Sequence, residues 1–150
     1  MTATSRPAPR ARAAAGARDR WAWILGMFAL STAANAAWML ASPASWYHEL
    51  PANVPATGAY NEHFVRDIGC AFLVMAFALG WAALRPAARA PLVVVSTAFL
   101  VLHAALHVFD SARGYLPAGH WRHDVAGVYL PAVAAVVVAF LILRPTRRTA

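Results

Sequence analysis

Four long apolar stretches, separated by short polar segments, dominate the pattern of residues along this chain. They run from Trp21 to Leu40, from His63 to Leu84, from Pro91 to Phe109 and from Asp124 to Leu143. Each can cross ~30 Å of hydrocarbon as a helix that rises ~1.5 Å per residue. None alternates polar and apolar residues with the period of two that a membrane β-strand requires. Because helices satisfy their own backbone hydrogen bonds in lipid, the pattern predicts an all-α fold, an integral membrane four-helix bundle.

Residues that typically begin, end or bend helices support the ends proposed for these four helices. The segment 85–91 contains two prolines and is expected to form a tight turn between the second and third helices. Asn61 is expected to cap the second helix, and Ser42-Pro43 to begin a short helix in the first loop. Pro131 lies inside the fourth stretch and is expected to kink it.

The composition favours lipid as the solvent. Hydrophobic residues make up 61% of the 150 residues and charged residues only 13%, whereas a soluble domain carries roughly a quarter charged. The net charge of +7 comes from arginines that are concentrated at the chain ends and in one linker. That distribution is typical of a membrane orientation signal and does not predict a nucleic-acid partner. We expect one transmembrane domain over residues 21–143, a disordered tail at 1–20 and a second tail at 144–150.

The arginines also predict the orientation. If the chain crosses four times, only Arg66, Arg113 and Arg122 of its 13 basic residues fall on the second side. The positive-inside rule then places both termini in the cytoplasm, and we expect a multi-pass protein of the inner (plasma) membrane of the cell. A signal peptide cleaved near residues 34–36 is the alternative for the first stretch. Its apolar run extends to Leu40, beyond the usual core of ~7–15 residues.

The remaining polar residues are concentrated toward the outer face. All six histidines and five of the six acidic residues map to the outer side or the outer half of a stretch. His103, His107 and Asp110 have the spacing i, i+4 and i+7, so they share one face of the third helix. His63 and Asp67 have the spacing i, i+4 on the second helix.

An aspartate that faced lipid at the depth of Asp67 would cost a few kcal/mol. We therefore expect Asp67 to face the bundle and to pair with His103, His107 or Arg66. Asn35 of the first helix is expected to donate to the same group, and the loop 42–62 to cap it. The predicted polar cluster comprises His63, Arg66, Asp67, His103, His107, Asp110, His123 and Asp124.

Two segments at these residues resemble signatures of small uncharacterised four-span bacterial membrane proteins. The first is the run 46–51 (WYHELP) followed by 57–69 (TGAYNEHFVRDIG), and the second is 103–110 (HAALHVFD). The resemblance extends from Trp21 to Leu143. In architecture, this group is similar to the DoxX-like superfamily of four-helix membrane proteins, whose namesake is linked to a quinol oxidase. The resemblance implies the same fold and draws attention to the predicted cluster, but it implies no reaction.

Three interpretations of the cluster remain open. A structural polar network would join the helices through interhelical bonds that contribute ~0.5–2 kcal/mol each. A transition-metal or haem site would use His63, His103 and His107 as ligands, with Asp67 or Asp110 beside them, while His48 and His120 would lie in loops outside the site. A quinone pocket or proton relay would need a homo-oligomer or a partner in a membrane complex. The sequence contains no nucleophile–base pair, phosphate loop or cofactor fingerprint, so it does not indicate an enzyme.

Overall fold

The computed structural model describes residues 19–144 and is helical throughout, apart from short connections. The helices are α1 (Arg20–Ala41), α2 (Pro43–Glu49), α3 (Glu62–Leu84) and α4 (Arg89–Ala112), followed by α5 (Trp121–Asp124), a π turn (Val125–Tyr129) and α6 (Leu130–Leu143). The last three form one continuous unit, the fourth span (Trp121–Leu143). Four units are long and apolar enough to cross a membrane: Arg20–Ala41, Glu62–Leu84, Pro86–Ala112 and Trp121–Leu143. Over residues 19–144, the predicted all-α fold and four helices long and apolar enough to span a membrane are confirmed. Most of the two predicted tails lies outside the described residues.

Local sequence signals explain where several helices begin. The side chain of Asn61 accepts a hydrogen bond from the backbone N–H of Phe64 at 3.1 Å, which confirms the predicted cap of α3. Pro43 is the first residue of α2, where its missing N–H costs no helical bond. A short 3-10 turn over Pro86–Ala88 joins α3 to α4, within the segment predicted to turn.

The four spans pack against one another in chain order, and α1 makes its most extensive contacts with α3. A Cβ atom at Gly69 of α3 would lie only 3.0 Å from the Cβ of Met39 of α1, so glycine permits this close approach. The core lies at the bundle centre and includes Leu25 of α1, Leu79 of α3 and Val93 of α4. Alanines of α6 complete the core opposite α4.

Large apolar side chains also cover the outside of the bundle. Val74, Phe77, Leu102 and Phe140 are all exposed by about two thirds or more of their surface. A helix that is apolar on every side is typical of a membrane span, so the structure agrees with lipid as the surrounding medium.

The bundle has two ends that differ in chemistry. At the Arg89 end, α1 and α4 begin while α3 and α6 end. At the His107 end, α1 and α4 end while α3 and the fourth span begin. Helix α2 lies at the His107 end, where it contacts α1 and α3.

Candidate functional site

At the Arg89 end, one buried arginine joins three helices. Arg89 at the start of α4 is only 8% exposed, and its Nη2 lies 2.6 Å from Oδ2 of Asp19. Its Nη1 donates to Oδ1 of the same carboxylate at 3.3 Å. Its Nε donates to the carbonyl of Ala82 at 3.1 Å, and Nη2 to that of Ala83 at 3.4 Å. These carbonyls lie in the last turn of α3, where helical donors are missing.

Asp19 has a second role as the N-cap of α1. Its Oδ1 accepts a hydrogen bond from the backbone N–H of Trp21 at 3.0 Å. The hydrogen bond from Arg89 lowers the pKa of the Asp19 carboxyl below its usual value. Sequence reasoning missed this pair, because it treated both residues only as charges on one side of the membrane. They are 70 residues apart, and no local spacing connects them.

At the His107 end, the buried carboxylate is Asp124, the last residue of α5. Its side chain is 1% exposed, and its Oδ2 lies 3.0 Å from Nδ1 of His107 on α4. Its Oδ1 lies 3.6 Å from Nε2 of His120, whose side chain is equally buried. Tyr129, at the end of the π turn, faces the same carboxylate. The centre therefore joins α4 to the beginning of the fourth span.

The polar atoms of this centre are close together but not aligned as hydrogen bonds. Within residues 19–144, neither oxygen of Asp124 has a hydrogen-bond partner. The same is true of Nδ1 of His107, of both ring nitrogens of His120 and of Oγ of Ser111. The 3.0 Å contact with His107 is therefore within hydrogen-bond distance, but its angles do not meet those of a hydrogen bond. An unpaired polar group in a buried site costs roughly 1–3 kcal/mol, so this arrangement differs sharply from the fully paired Arg89.

Two further histidines extend the centre in opposite directions. The ring of His103 lies 4.8 Å from the ring of His107, one turn deeper in α4. It stacks on Phe99 at 6.2 Å and meets the edge of Phe72 from α3. On the other side, the exposed ring of His123 lies 5.8 Å from the ring of His120.

The structure corrects the predicted position of Asp67. Its side chain is 60% exposed and lies 3.4 Å from His63, which is 89% exposed. Neither histidine of α4 is its partner. The buried face of α3 contains Val65 and Gly69, and Asp67 is two residues from each. At ~100° per residue, that spacing turns Asp67 away from the bundle.

Arg66 and Asn35 also have partners other than those expected. Arg66 pairs with Glu62 one turn earlier on α3, and its Nε donates to the carbonyl of Leu40 at 3.3 Å. Asn35 accepts a hydrogen bond from Nε1 of Trp46 at 2.9 Å, so it fixes α2 to α1 and does not reach the histidines.

The predicted cluster is therefore only partly brought together. Of its eight members, His103, His107 and Asp124 meet in the buried centre, while His123 lies at its edge. Asp110 is half-buried near the end of α4, where its carbonyl accepts a hydrogen bond from the N–H of Tyr115. His120 was missed because it was assigned to a mobile loop, although its i, i+4 spacing to Asp124 is visible in the sequence.

The histidines predicted as metal ligands are not assembled into one site. His63 lies with Asp67 on the exposed face of α3, apart from the stacked His103 and His107. Across residues 19–144, no three His, Cys, Asp or Glu side chains are arranged to hold a metal ion.

Comparisons of the chain with protein-family models, curated proteins and solved structures found no match. The resemblance to the DoxX-like superfamily therefore stays a prediction.

Proposed function

We propose that this chain is a multi-pass protein of a bacterial inner membrane and that its Arg89 end faces the cytoplasm. The four apolar helices support the membrane assignment. The arginine distribution supports the orientation, since Arg85, Arg89 and Arg144 all lie at the Arg89 end. In this orientation the His107 end faces outward, and both ends of the sequence face the cytoplasm.

The proposed activity is proton binding and relay at the buried centre of the His107 end. The observation that carries it is the burial of Asp124 between two imidazoles, with His107 at 3.0 Å and the equally buried His120 at 3.6 Å. A buried carboxylate is costly in a medium of low dielectric constant unless it is paired or neutralised. Imidazole is the side chain that normally changes its charge near neutral pH. In the elementary step, one proton moves from the carboxyl of Asp124 to an imidazole nitrogen and leaves a carboxylate beside an imidazolium.

The order of the titratable groups gives the relay a direction. From the exposed surface inward, the groups are His123, His120, Asp124, His107 and His103. The ring centroids of the first pair are 5.8 Å apart and those of the last pair 4.8 Å apart. Small side-chain rotations or bridging water molecules would complete these steps. Tyr129 is the other titratable group that faces Asp124.

The relay reaches only part of the way through the bundle. His103 lies nine residues before the end of α4, which corresponds to a depth of ~14 Å at ~1.5 Å per residue. Beyond it, the interior face of α4 contains the buried Leu100. The protein would thus deliver a proton to its own midpoint, and a second copy or a membrane-complex partner would receive it there.

A structural polar network is the second candidate function. It is favoured by the 3.0 Å contact between His107 and Asp124, which joins α4 to the fourth span. Such a contact would contribute ~0.5–2 kcal/mol to helix association. The buried contact of His120 with Asp124 weighs against a purely structural role, because both residues lie at the start of the same span and the contact joins no second helix. A metal or haem at His63, His103 and His107 has less support than either, because His63 lies apart from the other two.

Infrared difference spectroscopy of the purified protein in lipid nanodiscs tests the proposal. Spectra are recorded below and above pH ~6.5, the ordinary pKa of histidine. They should contain a carbonyl-stretch band of a carboxylic acid whose intensity changes with pH. The Asp124→Asn variant should lose this band. The matched control, Asp67→Asn, removes an exposed carboxylate at the same end and should retain it.

A band that does not respond to pH, or that persists in Asp124→Asn, would contradict proton binding at this centre. A structural network alone would instead lower the stability of Asp124→Asn and leave no pH-dependent carboxyl band in the wild type.

A further inference from the structure

The fourth span changes its helical register directly after the buried carboxylate. Val125–Tyr129 forms a single π turn, in which the N–H of Leu130 donates to the carbonyl of Val125 five residues earlier. A π turn contains one residue more than the corresponding α turn, and single π turns inside α-helices are frequent at functional sites. Asp124 immediately precedes this turn, and Tyr129 ends it.

Pro131 explains why the wide turn forms here. Proline has no N–H to donate to the carbonyl four residues earlier, and its ring crowds that carbonyl, which belongs to Gly127. Gly127 has nothing within 4 Å of its Cβ position, and glycine favours the helix less than alanine by ~1 kcal/mol. The sequence therefore weakens the regular α-helix at this one point of the fourth span.

The register determines which way Asp124 points. An α-helix turns by ~100° per residue and the wider π turn by less, so the difference over five residues is roughly a quarter of a turn. If the π turn changed to the α form without loss of a residue, α5 would rotate by that amount while α6 stayed in place. Asp124 would then leave His107 and move toward the surface of the bundle.

A second flexible point lies on the other side of the same segment. Gly119 has a φ of 85°, which lies in the left-handed region that glycine adopts at low cost. His120 and α5 are thus placed between this glycine and the π turn. A rotation of residues 120–124 would need a backbone change at these two points only.

We propose that the π turn is a conformational switch that alternately exposes and buries the Asp124 carboxyl. In the π register, the carboxyl faces His107 and can pass a proton inward. In the α register, the carboxyl turns outward and exchanges its proton with the medium. This inference rests on the proposed proton-binding function and adds to it the step by which the proton enters.

Hydrogen–deuterium exchange of the Asp124 carboxyl tests the switch. The shift of its infrared carbonyl band is followed after transfer to D2O, at a pH where the wild type shows the protonated band. Deletion of Ala126 removes the extra residue, so that a regular α-helix keeps Asp124 on the side of His107 and has no second register. An exposed minor state is typically ~0.1–10% populated, and its removal should slow the exchange about tenfold or more. The matched control is deletion of Ala56 in the loop between α2 and α3, outside the switch segment, which should exchange like the wild type.

The possible outcomes separate the switch from the proposed function. If the wild type has no Asp124 carboxyl band at any pH, the proton-binding function fails. If the band is present but deletion of Ala126 leaves its exchange unchanged or abolishes the band, the switch is wrong and proton binding stands. Should the deletion variant not fold, Pro131→Ala decides. It restores an N–H that can bond to Gly127 and should favour the α register, so faster exchange supports the switch and unchanged exchange overturns it.

Discussion

Among residues 19–144, Arg89 and Asp124 are ionisable side chains buried at opposite ends of the bundle, and their surroundings differ. Arg89 donates to one carboxylate and two backbone carbonyls. Asp124 instead lies beside titratable side chains, with His107 at 3.0 Å, His120 at 3.6 Å and Tyr129 facing the same carboxylate. A buried polar group whose hydrogen bonds are satisfied resists rearrangement. A buried polar group without them is stabilised when it binds a proton or a water molecule, or when its surroundings rearrange. The Arg89 end therefore joins three helices through satisfied hydrogen bonds, whereas the His107 end contains the side chains of the proposed proton relay.

The stability contributed by Asp19 should depend on pH with a defined sign. Its pKa in the folded protein is lowered below the usual 3.8 by the hydrogen bond from Arg89. The pair therefore contributes its full stability above that usual value and loses it as the pH falls through the lowered pKa of the folded protein. In Asp19→Asn, the N-cap persists because asparagine caps as well as aspartate does, while the ion pair is lost.

We expect Asp19→Asn to melt at a lower temperature than the wild type near neutral pH, and the difference to shrink below about pH 4. Thermal unfolding in detergent over a pH series measures this. Glu49→Gln, an exposed change on α2, serves as the control and should melt like the wild type near neutral pH. A difference for Asp19→Asn that stayed constant down to the lowest pH would show that the ion pair does not contribute.

At the residue scale, the sequence predicted which residues are polar and deep but not which way they face. Spacing correctly grouped His103 with His107, because both lie on one helix. It failed for Asp67, because the buried face of α3, which contains Val65 and Gly69, is determined by packing against other helices and not by spacing within α3. The cost of placing a carboxylate in lipid predicts its position only when the buried face of the helix is known. The structure buries Asp124 instead of Asp67.

At the scale of the elements, α1 and α3 form the helix pair with the most extensive contacts, and Gly69 permits their close approach. Gly69 faces Met39 and Leu40, and an added Cβ would lie 3.0 Å from Met39 Cβ and 3.2 Å from Leu40 Cγ. Without a strong hydrophobic driving force between helices in lipid, such close packing provides much of the association energy.

Gly69→Ala should lower the free energy of unfolding by ~1–3 kcal/mol, because the added methyl group must push the helices apart. Gly26→Ala on α1 is the matched control, since nothing lies within 4 Å of its Cβ position. It should be neutral or stabilising by up to ~1 kcal/mol, the difference in helix propensity. Reversible unfolding of both variants in the same mixed micelles measures the two effects. Equal behaviour of the two variants would mean that Gly69 does not limit the approach of α1 and α3.

The fourth span shows how far the sequence of a helix predicts its irregularities. Pro131 predicted an irregularity, and the structure has a π turn there. Proline indicates that a helical bond is missing but not how the neighbouring residues compensate, because a kink and a π turn both relieve the same clash. The distinction matters here because the π turn determines the direction of Asp124.

At the scale of the whole molecule, orientation decides which compartment would supply the proton of the proposed relay. The apolar stretches predict the order of the four spans and which of their ends lie on the same side. They do so because length and polarity can be read from the local sequence. The direction of insertion depends on the membrane and on the arginines outside the spans. Arg85 and Arg144 remain exposed at the Arg89 end, which agrees with a cytoplasmic location of that end.

Cysteine accessibility in intact cells tests this orientation. In a Cys70→Ala background, single cysteines replace Ala56 and Ala118 at the His107 end or Ala87 at the Arg89 end. Cys70 must be removed because it is exposed on α3. An impermeant thiol reagent should label the first two positions in intact cells and Ala87→Cys only after lysis. Labelling of Ala87→Cys alone in intact cells would invert the bundle, so that the relay would open to the cytoplasm and its proton would come from that side.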